Sequence, residues 1–369
     1  MSDLMKRMLA VTKKDGRVTT LDESQYADKS VVASTDVPML NVAMSSKVDG
    51  GLIPGLTMVV GESRTFKSNF CVKAMAAYLR KFQDAIAIFA DCEFGAAKKL
   101  FTKYGIDPKR VIHMPFEDVE EMKIKLTKSI NAIEEGDHVF IMVDSVSQVA
   151  SRKESEDAEN EKVTQDMTRA RALNSFWRII TPKLTLRGIP MFAINSFYED
   201  IGNKYADPII KGGKQGFLSC DQVWFISRRQ IKDEASKALQ GWDFVINIMK
   251  GRFVKEKAKI VITVLFDGGI SRCSGLLEIA RLGGFVEMYA GSRYRRTALC
   301  GFKSDPGLFK KEIADNWEWW EPVVENPAFA AYVERFYGIN ESMVMLDEID
   351  FDEETGLVKS VAGVATAAE

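Results

Sequence analysis

The octapeptide Gly61-Glu62-Ser63-Arg64-Thr65-Phe66-Lys67-Ser68, with Asn69 after it, ends an apolar run (Leu56–Val60) and begins a helical pattern carried by Phe70, Met75, Leu79 and Phe82. A strand, a loop and a helix in that order are the setting of a phosphate-binding loop. Backbone N–H groups wrap the phosphates, a lysine reaches the β and γ oxygens, a hydroxyl ligates Mg2+ and the helix N-terminus adds its dipole. Lys67 and Ser68 stand in the lysine and hydroxyl roles. Phe66 occupies the place where the GxxxxGK[ST] pattern has glycine, so the loop alone is only moderately specific.

Two further runs support it. Val139-Phe140-Ile141-Met142-Val143-Asp144 is an apolar strand ending in an acid, the partner such a loop needs to hold the water shell of its metal. Ala85 to Ala90 is a strand that ends in Asp91-Cys92-Glu93, which puts a carboxylate beside the same crevice. Glu93 is the candidate base for polarising an attacking water. Together these runs predict an ATPase with ATP and Mg2+ at the site.

Outward from the loop, β-branched runs alternate with longer helical patterns, as in βα units on a mostly parallel buried sheet. Strands are expected at Leu56–Val60, Ala85–Ala90, Val139–Val143 and Ile189–Ile194, and antiparallel strands at Val223–Ile226, Phe244–Met249 and Ile260–Phe266. Val119 to Glu134 spaces Met122, Leu126, Ile130 and Ile133 as one buried helical face. The expected division is an opening helix and arm over 1–35, a core over 36–270, a helical C-terminal domain over 271–345 and an acidic, disordered tail over 346–369.

Composition narrows the function classes. The 369 residues are 46% hydrophobic and 28% charged, which excludes disorder throughout. Lys+Arg total 50 against 52 for Asp+Glu, a net charge of -2, so any nucleic-acid site must be local. The opening MSDLMKRMLAV is no signal peptide and no span is apolar enough for a membrane, so the expected place is the cytoplasm. The five cysteines are scattered and read as reduced core thiols; the two histidines, His113 and His138, read as structural.

The three runs above, with Asp49 to Gly55 (DGGLIPG) before the first and Ala193 to Ser196 (AINS) ending a later strand, resemble the RecA family of recombinases, and the phage branch most closely. Phe66 before Lys67, the turn Asp91 to Gly95 (DCEFG), Ser151 to Ala170, and Val254 to Lys259 followed by Phe266 to Ile270 carry that closer likeness, which covers about Val31 to Leu277 well. The resemblance implies a RecA-like P-loop ATPase core. It implies a protein that forms helical filaments of itself on single-stranded DNA, pairs it with homologous duplex and exchanges strands. Phage single-strand-binding and recombination-mediator proteins would be its further partners, in the cytoplasm of an infected host cell.

By the same resemblance two segments hold DNA, Arg152 to Gln165 and Phe197 to Lys214. The first offers Arg152, Lys153 and Lys162 among many acids, so a solvated helical face is an equal reading. The second alternates Phe197, Tyr198 and Tyr205 with Lys204, Lys211 and Lys214 around Gly212-Gly213, flat side chains and charge that suit bases and phosphates. Arg171, Arg178, Arg228 and Arg229 match basic positions of the DNA groove. Lys250 and Arg252 match residues that cross to the γ-phosphate of a neighbouring subunit's ATP. Asn195 and Ser196 stand at the γ-phosphate sensor, with Ser196 where cellular relatives have glutamine. Ala97 and Leu100 replace an acid and an aromatic ring near adenine, which leaves base stacking to Phe101 or to nothing. The arm would dock on the next subunit, Val31-Val32 adding a strand to its sheet. Two alternatives stay open, a ring helicase on the same core and a nucleotide-gated single-strand-binding protein without turnover.

Overall fold

Every residue of Gly55–Gly61 is buried, as expected of a strand covered on both faces. This β1 is the middle of a nine-stranded sheet ordered β11-β10-β9-β8-β1-β5-β4-β2-β3. The computed structural model describes residues 2–12, 17–26, 29–95, 98–160, 167–198, 208–233 and 236–339, and the backbone alone of 349–351 and 358–361.

In chain order, helices α1 (Asp3–Thr12) and α2 (Pro38–Ser45) precede β1, and α3 (Lys67–Lys81) follows it. Next come β2 (Ile86–Asp91), α4 (Lys98–Lys103), β3 (Val111–Pro115), α5 (Val119–Ala132), β4 (Val139–Asp144), α6 (Arg152–Glu159), α7 (Thr168–Leu186) and β5 (Pro190–Asn195). A two-residue pair, β6 (Phe197–Tyr198) and β7 (Ile209–Ile210), and helix α8 (Lys214–Ser219) lead to β8 (Gln222–Lys232), β9 (Leu239–Lys250), β10 (Lys259–Leu265) and β11 (Gly269–Ile270). The six strands from β3 to β8 across the sheet pair in parallel, and β9 to β11 extend it antiparallel. This is a RecA-like core.

Alternate residues of the central strands feed two apolar layers. Val59, Phe140, Met142 and Phe192 face α2 and α3, whereas Met58, Val60, Ile141 and Val143 face α5 and α7. Met122, Leu126 and Ile130 of α5 are buried as their spacing predicts. The first layer continues into the C-terminal region through Leu276, Ile279, Trp320 and Phe329.

Four expectations need correcting. β3 had no place in the sequence reading: it is an edge strand, with exposed Ile112 and His113 in place of an apolar run. β8 is antiparallel to β9 but parallel to β1. The region after Ser271 is not helical throughout; besides α9 (Leu276–Leu282), α10 (Lys310–Ile313), α11 (Trp317–Val324) and α12 (Pro327–Tyr337) it carries a three-stranded sheet, β12 (Val286–Tyr289), β13 (Arg293–Arg296) and β14 (Leu308–Phe309). Val31-Val32 does not leave the chain: the Val32 N–H donates to Leu52 O at 2.8 Å and the Leu52 N–H to Ala33 O at 2.7 Å. Much of the expected acidic tail, and Lys13 to Gly16 of the arm, lie outside the described residues. The backbone of 349–351 and 358–361 forms a short antiparallel pair.

Candidate functional site

Parallel strands end together, so β1, β2, β4 and β5 deliver their last residues to one crevice. A cavity of about 390 Å³ opens there, lined by Gly61, Ser63 to Asn69, Glu93, Asp144, Asn195 and Ser196 among others. All the nucleotide-site residues proposed from sequence meet at it except Glu62, whose carbonyl joins the loop from just behind.

Gly61 has no alternative: a Cβ there would fall 2.6 Å from the Ile226 carbonyl of β8. Lys67 Nζ donates to the carbonyls of Gly61 and Glu62 at 2.9 and 2.5 Å, folded along the loop it serves. Ser68 Oγ donates to Asp144 Oδ2 at 2.7 Å, so hydroxyl and carboxylate already form a pair of hard oxygen donors. That pair fits Mg2+. The N-terminus of α3 has no side-chain cap, which leaves its first amides for an anion.

Asp91 is buried and its Oδ1 accepts the N–H groups of Glu93 and Phe94 at 3.1 and 2.9 Å, while Oδ2 lies 3.2 Å from His113 Nε2. These bonds fix the turn that carries Glu93. Glu93 Oε1 accepts from Ser145 Oγ, the residue after Asp144, and so reaches across from β2 to β4. The loop beyond is held by Arg169, whose guanidinium donates to the carbonyls of Val146, Ser147 and Val149. Sequence reasoning missed Asp91, Ser145 and Arg169; only Asp91, an acid at a strand end, offered a signal.

Burial raises the Asp144 carboxyl to about 6, and the negative charges of Glu93 and Asp91 add to this against the Ser68 hydrogen bond and Lys67. Burial lowers Lys67, against the pull of Asp144 and Glu93. A folded-state value above the unfolded one means that the native state binds the proton more tightly. Asp144 therefore contributes stability at low pH that is lost as pH rises from about 4 through about 6. Asp144→Asn is expected to unfold at higher temperature than the parent at pH 7.5, by roughly 1–3 kcal/mol of stability, and to lose any stabilisation that Mg2+ with ATP gives the parent. Differential scanning fluorimetry across pH, with and without both ligands, reads both effects.

Phe66 is left-handed, with φ 64°, a conformation glycine adopts freely. Its ring gives the reason for the exception: it stacks on Phe244 of β9 at 5.1 Å and meets Phe70 of α3 edge-on at 5.4 Å, pinning the loop to both. Phe66→Gly relieves about 1–2 kcal/mol of backbone strain but loses about 1.5–3 kcal/mol of burial and the ring pairing as well. The net expectation is a destabilisation of about 1–2 kcal/mol, visible in a urea midpoint.

The candidate DNA residues divide. Arg152 and Lys153 belong to a helix, α6, opened by a Ser151–Glu154 capping box, and not to a loop. They pair with Asp118 at 3.3 Å and Asp157 at 2.7 Å, on the exposed face of that helix. Phe197 packs on Phe225, rings 4.7 Å apart, and Tyr198 is exposed. Arg171 and Arg178 lie exposed on α7, and Lys214 opens α8 after Gly212 and Gly213, both at positive φ. Arg228 lies over the Trp242 ring and donates to Arg64 O at 3.1 Å, which joins it to the phosphate loop; Arg229 is exposed. Lys162, Lys204 and Tyr205 lie outside the described residues, as does Ala97.

The base of the second segment is tied to the cavity. Asn195 Nδ2 donates to Lys211 O at 2.9 Å, its Oδ1 accepts the Ser196 N–H at 2.8 Å, and the Lys211 N–H donates to Ser196 O at 3.0 Å. Phe101 is buried against Phe89. Tyr104, half-buried, donates its hydroxyl to Oδ1 of the cavity residue Asn69 at 3.1 Å and was not foreseen.

Lys250 and Arg252 do not line this cavity. Val223 pairs with both Met58 and Lys250, which sets Lys250 level with the middle of β1, about 10 Å of strand from Gly61, and Arg252 lies beyond it toward the start of β1, on Asp221. Lys250 Nζ donates to the carbonyls of Phe217 and Leu218, and Arg252 pairs with Asp221. Neither serves the cavity of its own chain.

A mostly parallel sheet flanked by helices, with a strand–loop–helix cavity at its central crevice, defines the class: α/β proteins with a RecA-like core. The chain is 37% identical over 362 residues to the recombination and repair protein of Enterobacteria phage T4, spanning 95% of this chain and 90% of that one, and it belongs to that protein's family. No protein-family model matches it. Among the described residues no helix is long and apolar enough to cross a membrane.

Proposed function

We infer that the protein acts in DNA recombination and repair as an ATP-hydrolysing recombinase, assembling head to tail on single-stranded DNA to pair it with homologous duplex and exchange strands. The observation that carries this is the gathering of Lys67, Ser68, Asp144 and Glu93 at one cavity that Lys250 and Arg252, held on the Phe217 and Leu218 carbonyls and on Asp221, do not line. Finger residues that do not line the cavity of their own chain favour a heterologous contact between copies, which repeats as a helix when it does not close. The 37% identity to the phage protein supports the recombination and repair role, and the phosphate loop with Phe66, the Asp91 to Gly95 turn and Ser151 to Ala170 resembles the UvsX recombinase of T-even-type phages.

In this reading Lys67 and the amides opening α3 hold the β and γ phosphates, and Ser68 and Asp144 hold Mg2+, which supplies charge neutralisation at the phosphates when bound. Glu93, oriented by Ser145 and by the Asp91-anchored turn, takes the proton of the attacking water. Lys250 and Arg252 of the adjoining copy meet the charge that develops on the γ-phosphoryl group. Tyr198, Lys211, Lys214, Arg171, Arg178 and Arg229 provide the DNA-facing charge and ring. Partners would be single-stranded and duplex DNA with phage single-strand-binding and mediator proteins, in the host-cell cytoplasm.

ATP hydrolysis measured without DNA, with single strands and with duplex, alongside electron microscopy, tests the reading. Stimulation by single strands, steep loss with salt and helical filaments are expected. Rings that unwind duplex would transfer the assignment to a helicase, and neither turnover nor polymer would leave a binding module.

A further inference from the structure

Asp221, between α8 and β8, is buried and holds three partners at once. Its Oδ2 accepts the Leu56 N–H at 3.1 Å. Its Oδ1 takes Lys29 Nζ at 2.7 Å and Arg252 Nε at 2.8 Å. The corner is built around the carboxylate: Gly55 has φ 122°, and a Cβ there would stand 2.0 Å from Asp221 Oδ2 and 2.9 Å from Lys29 Nζ.

Two cations on one oxygen repel each other, and one carboxylate neutralises only one of them. Their positions are unequal. The Lys29 side chain is 13% exposed and also donates to Pro54 O at 3.2 Å, whereas the Arg252 side chain is 61% exposed, on a turn beyond the end of β9. Lys29 is the resident counter-ion and Arg252 the one that can leave. A guanidinium leaving a carboxylate is favoured when a more highly charged acceptor such as a polyphosphate is within reach, and when the carboxylate it leaves is not stranded.

We propose that Asp221 is the exchangeable counter-ion of Arg252 and that Lys29 is a positioning residue that makes the exchange possible, keeping Asp221 neutralised while the guanidinium moves to the triphosphate of an adjoining copy. This rests on the assignment of Arg252 as a finger in trans. The segment before the core thus sets how readily a protomer releases its finger. Without Lys29, Asp221 holds Arg252 as its sole counter-ion and assembly driven by nucleotide is weakened. With Asp221 neutral, Arg252 is free at the outset.

Sedimentation of the full chain on a single-stranded oligonucleotide, titrated in protein concentration with and without Mg2+ and a slowly hydrolysed ATP analogue, tests this. Lys29→Met is expected to raise the half-assembly concentration about fivefold with nucleotide and to leave it unchanged without, the size of effect a partly exposed ion pair allows. Asp221→Asn, which keeps an acceptor for the Leu56 N–H, is expected to lower it, and the double variant to match Asp221→Asn alone. An unshifted Lys29→Met, or the same shift in the Asp221→Asn background, overturns the proposal. Should Asp221→Asn not fold, Lys29→Arg decides: it must assemble like the parent, and a defect equal to that of Lys29→Met overturns the idea. Arg252→Ala separates the two levels. If it assembles with nucleotide like the parent, the trans assignment has failed and this proposal with it; if it loses the nucleotide-dependent gain while Lys29→Met is silent, the counter-ion proposal alone has failed.

Discussion

Glu93→Gln is expected to cut ATP turnover by about 10²- to 10⁴-fold, the span of a positioned general base, while leaving ATP binding intact. The amide keeps an acceptor for Ser145 Oγ, and the Asp91 bonds that shape the turn go to backbone N–H groups that the substitution does not touch. Fold and cavity should therefore survive, and only the proton-accepting oxygen is lost. Fluorescent-nucleotide titration beside a phosphate-release assay separates the two quantities. Undiminished turnover would remove Glu93 from the chemistry and return it to a solvated loop.

Arg252→Ala is expected to lower single-strand-stimulated hydrolysis on the order of 10³-fold, as the loss of an arginine finger does. Arg252 is held on Asp221 near the start of β1 and does not line the cavity of its own chain. Mixing decides where it acts. Lys67→Ala, which spoils the phosphate loop, and Arg252→Ala are each inactive, but an interface between them can join one intact cavity to one intact finger. An equimolar mixture should recover roughly a quarter of the parent rate, the random-pairing fraction of complete interfaces in a head-to-tail array. A mixture as inactive as its components would place Arg252 in cis or in folding alone.

The residues that line the cavity were legible because their signals are local. A strand's apolar run, a strand-end acid and a lysine before a hydroxyl each declare themselves within eight residues, and the parallel sheet brings such ends together without further instruction. Contacts made across the chain were not legible. Nothing beside Phe197 in the sequence announces its contact with Phe225, and Lys29 lies 192 positions from Asp221. Arg293 to Arg296 hid a strand because its charges are met from outside, by Glu287 opposite and by the rings of Tyr289 and Phe309. Edge strand β3 hid for a related reason, since a strand half open to solvent needs no apolar run. One local signal was passed over: Ser151-x-x-Glu154 is a capping box, and it announced the start of α6.

The bonds among Asn195, Ser196 and Lys211 bear on how this protein tolerates change in length. With the Lys211 N–H on Ser196 O, Asn195 on Lys211 O, and Phe197 and Tyr198 paired to Ile210 and Ile209, the chain leaves and re-enters the core through one sealed neck. Lengthening the chain between Tyr198 and Ile209 stretches a loop whose ends are already joined, which costs only about 0.6 kcal/mol per doubling. The cavity, on the near side of the neck, does not register the insertion. A reporter peptide or a tag placed there should leave nucleotide affinity untouched.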